Sequence, residues 1–209
     1  MKINNIYKKN WFVASVFVIL FLVNIIIIPQ EKTLGEGIIL IYIHVALIFS
    51  GTVGFLISAL LGVGVFFSAN KHLQSWLFYL SLFSLILYFL GIGLSMIASA
   101  IFWGAINWTE PYMVVSLQII SITIIVLVAA GLIPNIRLKG FLNIIPFVSI
   151  LLLMQDNKLI LHPDSPIRNS GSLAIKFSFY SLLFIILTFT IWLVWIFRGK
   201  YSKPPNRLS

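Results

Sequence analysis

Apolar residues run through this chain in long blocks separated by short polar interruptions, and no stretch alternates residue by residue as a half-buried strand would. The blocks cover residues 11–28, 37–67, 76–102, 111–133, 141–154 and 172–197. Most reach the roughly 20 apolar residues that a helix needs to cross about 30 Å of hydrocarbon, and only helices or closed barrels satisfy their backbones there. The pattern therefore predicts an all-α integral membrane protein, a bundle of six transmembrane helices forming a single domain over residues 1–209. Proline marks several edges: Pro29 follows the first block, Pro111 opens the fourth and Pro134 ends it. The fifth block is the shortest, with Pro146 inside it, and Arg137, Lys139 and Gly140 are expected to form a turn before it.

The first block follows Lys2, Lys8 and Lys9, as a signal peptide would, but no small-residue cleavage site comes after it, so a retained helix is expected. Sixty per cent hydrophobic and 9% charged residues exclude an ordinary soluble domain, in which about a quarter are charged. No cysteine is present, which removes disulfides, thiolate metal sites, covalent haem attachment to this chain and thiol redox chemistry. The net charge of +9 is scattered over loops and tails without interleaved aromatics, so no nucleic-acid partner is expected.

Six spans fix the side of every loop, and the charges then sort. One side takes Lys2, Lys8, Lys9, Lys71, Arg137, Lys139, Arg198, Lys200, Lys203 and Arg207, with no acid. The other takes Lys32, Lys158, Arg168 and Lys176 with all five acids: Glu31, Glu36, Glu110, Asp156 and Asp164. Lys and Arg accumulate on the cytoplasmic side, so both termini are expected there and residues 101–112 are expected to face outward.

That outward stretch holds Trp103, Gly104, Trp108 and Glu110. By position the tryptophans are interfacial anchors, and Glu110 suits a helix N-terminus. His44 lies inside the second span, about 12 Å outward of its midpoint at 1.5 Å per residue. Gly51, Ser58 and Gly62 return to nearly its face. His162 lies in the long polar loop at 155–172, on the same side, whereas His72 falls on the other. A helix contact for His44 and a solvated surface position for His162 stand beside a sharper reading. Two neutral imidazoles with no cysteine nearby suit the two axial positions of a haem iron. Lys176 reads as a snorkelling side chain or, like Lys158 and Arg168, as a partner for a haem propionate.

The stretch from Trp103 to Pro111 resembles the tryptophan-rich segment of the haem-handling proteins of cytochrome c assembly, above all the CcmC-type haem exporter family of cytochrome c maturation. The family segment runs Trp-Gly-x-x-Trp-x-Trp-Asp/Glu, and Trp103, Gly104, Glu110 and Pro111 fall on it without a gap. Span number and order match over the whole chain, and His44 and His162 look like the two axial histidines of the family. The resemblance implies a haem chaperone, not an enzyme, in a bacterial inner membrane. It implies haem b held transiently and non-covalently by His44 and His162, with Trp103, Gly104, Trp108 and Glu110 about it. The implied partners are a periplasmic haem chaperone, ATP-driven transporter subunits and a small single-span helper, besides membrane lipid. Asn107 and Thr109 stand where the family has tryptophans, Tyr112 where it has arginine, and Ala46 where it commonly has proline. Two further readings stay open: the haem-handling and attachment protein of the other cytochrome c assembly system, and a non-haem helical channel or structural subunit. A quinol oxidoreductase subunit with two stacked haems would need four axial ligands, and the chain has three histidines.

Overall fold

The computed structural model describes residues 2–29, 35, 37–155, 167 and 170–201, with side chains described between residues 10 and 199 of these. Their architecture is seven helices: α1 (Lys2–Ile26), α2 (Ile38–Ser68), α3 (Lys71–Trp103), α4 (Pro111–Leu132), α5 (Ile136–Leu142), α6 (Ile145–Met154) and α7 (Leu173–Tyr201). Five stretches are long and apolar enough to cross a membrane: α2, α3, α4, α5 with α6, and most of α7. The apolar part of α1, Asn10–Ile26, is shorter. Large apolar side chains such as Phe67, Leu132 and Phe184 point outward at 72%, 81% and 67% exposure, which water would penalise and lipid accepts. The chain is a multi-pass membrane protein.

Two helix starts follow polar caps rather than the edges of the apolar blocks. Asn70 Oδ1 accepts the backbone N–H groups of His72 at 2.8 Å and Leu73 at 3.3 Å, which starts α3 five residues before Trp76. Asn135 repeats the device, accepting from Arg137 at 2.9 Å and Leu138 at 3.3 Å. Such caps satisfy N–H groups that a helix start leaves without partners. Arg137, Lys139 and Gly140 are therefore helical, and the expected turn there is corrected: the fifth crossing begins at Ile136 and is bent between Leu142 and Ile145. Pro146 sits in the first turn of α6, where its missing N–H costs nothing. At the bend, buried Asn143 donates from Nδ2 to Lys139 O at 2.8 Å and accepts Ser81 Oγ from α3 at 2.8 Å.

Glycine governs how closely the helices approach. A Cβ at Gly51 would lie 2.9 Å from Ser84 O, and one at Gly91 would lie 3.0 Å from Ile48 N and 3.1 Å from His44 O. Glycines on both α2 and α3 thus bring the two backbones together, as van der Waals packing in lipid favours. Near the other end of α2, a Cβ at Gly62 would meet Gly140 O at 2.6 Å, and one at Gly140 would meet Gly62 O at 2.6 Å and Phe66 N at 2.7 Å. On the opposite flank α7 joins α1 and α2 through Asn24 Nδ2 donating to Ser181 Oγ, Tyr42 Oη donating to Ile175 O at 3.2 Å, and rings such as Phe17 and Phe189 at 5.2 Å.

These pairings give the bundle two chemically different ends. The basic end gathers Lys71 at the start of α3, Arg137 and Lys139 on α5, and Arg198 near the end of α7. The distal end carries Trp103, Trp108 and Glu110, the sole acidic residue among the described residues.

Candidate functional site

Gly104 creates the distal segment. It adopts φ +76 as the C-cap of α3, a left-handed conformation that strains any residue with a Cβ, and so turns the chain out of the helix. The chain then folds back: Ser99 Oγ donates to Ala105 O at 2.8 Å, and Ile106 packs with the core around Ile92 and Met113. Asn107 Oδ1 next accepts the N–H of Thr109 at 3.2 Å and its hydroxyl at 2.9 Å, a local turn. Glu110 N donates to Asn107 O at 3.3 Å, and Val114 N returns to Glu110 O at 3.0 Å, so α4 starts at once on Pro111.

This folding sorts the segment's side chains. Trp103 and Trp108 are 49% and 58% exposed, presenting two indoles outward, with Phe102 edge-on to Trp103 at 6.0 Å. Glu110 is turned inward at 6% exposure. It occupies the N-cap position of α4, yet its carboxylate makes no capping hydrogen bond, so capping does not account for its acidic side chain. The positive end of the α4 dipole, equivalent to about half a charge, favours an anion there.

His44 lies deeper. It is half-buried on the second turn of α2, and its backbone carbonyl faces Gly91 of α3. Gly91 is twelve residues before Trp103, so the α3 axis rises about 18 Å between the two levels at 1.5 Å per residue. The fold-back from Gly104 to Ser99 returns the loop part of the way. His44 Nδ1 lies 3.1 Å from Leu40 O. With Nδ1–H donating to that carbonyl, the ring's lone pair resides on Nε2, the arrangement in which backbone carbonyls hold metal-ligating histidines. The face of α2 below it is protein-lined, since Gly51, Ser58 and Gly62 are all buried.

The structure thus gathers Trp103, Gly104, Trp108, Glu110 and His44 at one end, the indoles outermost and the imidazole beneath their level. His72 is at the other end, where it lines a cleft with Lys71. Lys176 is half-buried in the first turn of α7. His162, Lys158 and Arg168 lie outside the described residues, so the expected pairing of His44 with His162 does too. Among the described residues no group of three or more His, Cys, Asp or Glu side chains converges to hold a bare metal ion. A metal within a macrocycle asks less of the protein, one or two axial donors and flat apolar surface. The Asn107 to Thr109 turn was hidden in the sequence, where the two residues count only as missing tryptophans; the Asx-turn spacing was its one signal. Compared with known proteins, the sequence matches no family model and no curated protein.

Proposed function

We propose that this chain is a haem-handling membrane protein of the CcmC type, holding haem b at the distal end and passing it to an acceptor during cytochrome c maturation. The observation that supports the reading is the His44 Nδ1 to Leu40 O contact of 3.1 Å, which in the neutral imidazole puts the lone pair on Nε2, the form in which histidine ligates a metal. Trp103 and Trp108 supply exposed aromatic area for a flat apolar cargo, and Glu110 is buried where the segment enters α4. In this reading His162, in the polar sequence between residues 155 and 172, would supply the second donor to the iron. A ligand on a helix retains the cargo, while a ligand on a loop leaves with less backbone cost, which suits delivery rather than catalysis.

The same proposal counts α1 as a sixth span and puts both termini and the basic end in the cytoplasm of a bacterial inner membrane, as the positive-inside rule prefers. A periplasmic haem chaperone, ATP-driven transporter subunits and a small single-span helper are the partners it calls for.

Loading the purified protein with haem and recording its visible spectrum tests the reading. A Soret band that His44→Ala weakens and His44→Ala with His162→Ala abolishes is expected; no band, or one indifferent to both changes, rejects it. Because the chain has no cysteine, single-cysteine labelling maps orientation directly. Thr109→Cys is expected to react with an impermeant reagent from the periplasm, and Lys71→Cys only after permeabilisation.

A further inference from the structure

The basic end contains a cleft of about 480 Å³ between the start of α3 and the end of α7. Lys71, His72, Gln74, Ser75, Tyr79 and Arg198 contribute polar side chains to its lining. Arg198 is braced: its guanidinium carbon lies 4.5 Å over the Trp76 ring, a cation–π contact. The adjoining Phe197 ring packs against Tyr79 at 6.2 Å and Phe83 at 5.4 Å, fastening this end of α7 to α3. The lining is rich in N–H and O–H donors, carries two positive charges and, among the described residues, includes no carboxylate. An anion with several acceptor oxygens matches it, and a phosphate ester is the common group of that kind; an arginine fork and a lysine ammonium are its usual recognition elements.

A second cleft, of about 310 Å³, lies beside the first, and its chemistry is opposite. Ile57 and Leu61 of α2, Leu73 and Leu80 of α3, and Ile191 and Val194 of α7 line it, with Trp76 as its remaining wall. The indole that braces Arg198 on the polar side therefore also walls the apolar side. A donor-rich cleft and an apolar groove on either side of the stacked Arg198–Trp76 pair fit one amphiphile with a phosphate head and a hydrocarbon tail. The basic residues Lys71, Arg137, Lys139 and Arg198 collect at this end of five stretches long enough to cross a membrane, and clustered Lys and Arg at a membrane surface attract anionic headgroups.

We propose that the two clefts form one binding site for an anionic phospholipid, its phosphate held by Lys71 and Arg198 and an acyl chain lying along the groove between α2, α3 and α7. The site is independent of the haem reading and lies at the opposite end of the bundle. It gives α7, whose first turns are fastened to α1 and α2, a lipid-dependent fastening to α3 at its other end.

Native mass spectrometry of the full chain tests this with dioleoyl phosphatidylglycerol, dioleoyl phosphatidylcholine, dihexanoyl phosphatidylglycerol and inorganic phosphate as probes. The wild type is expected to retain dioleoyl phosphatidylglycerol at least tenfold more tightly than the phosphatidylcholine of the same chains. Arg198→Gln and Lys71→Gln are each expected to remove most of that preference while melting like the wild type in phosphatidylcholine. Ile191→Ser, an exposed position in the groove, should narrow the advantage of the long-chain over the short-chain lipid. Equal retention of the two dioleoyl lipids, or a preference that survives both charge changes, overturns the site. Inorganic phosphate or the short-chain lipid binding as tightly as the long-chain lipid overturns the lipid assignment, leaving a plain anion cleft.

Discussion

The two ends of this bundle are built by different means. At the basic end, helices far apart in sequence touch backbone to backbone, Gly62 against Gly140, and Ser81 reaches Asn143 across a buried gap of 2.8 Å. At the distal end the tryptophan segment is held by bonds between near neighbours, Ser99 to Ala105 and Asn107 to Thr109, while its indoles stay exposed. Long-range contacts open only with the bundle, whereas short local ones open by themselves. The haem handling proposed above would call for the second kind of construction where a cargo sits, on a base of the first kind.

The largest effect is expected where backbones meet. Gly140→Val should destabilise the folded chain by about 3 kcal/mol or more, since overpacking forces α5 off α2. Its contrast is Gly93→Ala or Gly131→Ala, where an added Cβ meets nothing within 4 Å; these should stay within about 0.5 kcal/mol of the parent or gain slightly from helix propensity. Chemical unfolding in mixed micelles compares them, and equal losses would remove the claimed difference between close and open glycines. Next comes Asn143→Ala, which leaves Ser81 and the bend without their shared bond and should cost about 1–2 kcal/mol.

Changes at the distal end should be smaller and stay local. Gly104→Ala forces a Cβ into a left-handed conformation at a cost of about 1 kcal/mol, and is expected to alter protease sensitivity near residue 104 with little shift in global unfolding. Asn107→Ala removes the Thr109 turn for about 0.5–1 kcal/mol and should raise hydrogen exchange in 105–110 alone. If either change lowered global stability as much as Asn143→Ala, the two ends would be equally cooperative and the contrast would fail.

Much of this architecture was legible in advance because lipid demands long apolar helices, and five of the expected six spans are long enough on that criterion. The edges were less legible. An apolar block ends where charge begins, but a helix begins where its first N–H groups find acceptors, so Asn70 and Asn135 carried Lys71, Arg137 and Lys139 into helices that hydropathy would start later. Glycine content announced close packing, yet nothing local could pair Gly62 with Gly140, because that depends on where α5 lands after the turn at Pro134. Of the candidate site, Gly104 was visible as a motif residue, while its work as the stop of α3 is a backbone property. Glu110 looked like a cap, and only the packing of α4 showed it buried without a capping bond. The cleft beneath Arg198 escaped notice for a related reason: Trp76 and Arg198 are more than a hundred residues apart, and charge sorting spread their end of the molecule over loops and tails.

The proposed haem handling turns on His44, held at Nδ1 by Leu40 O, giving its Nε2 lone pair to the iron. The most direct measurement is a haem titration of the wild type and His44→Gly, followed by Soret and visible bands, with and without added imidazole. A six-coordinate low-spin spectrum is expected for the wild type, its loss with at least tenfold weaker binding in His44→Gly, and its return when free imidazole refills the position. A His44→Gly protein that binds haem as tightly as the parent and ignores imidazole would contradict it.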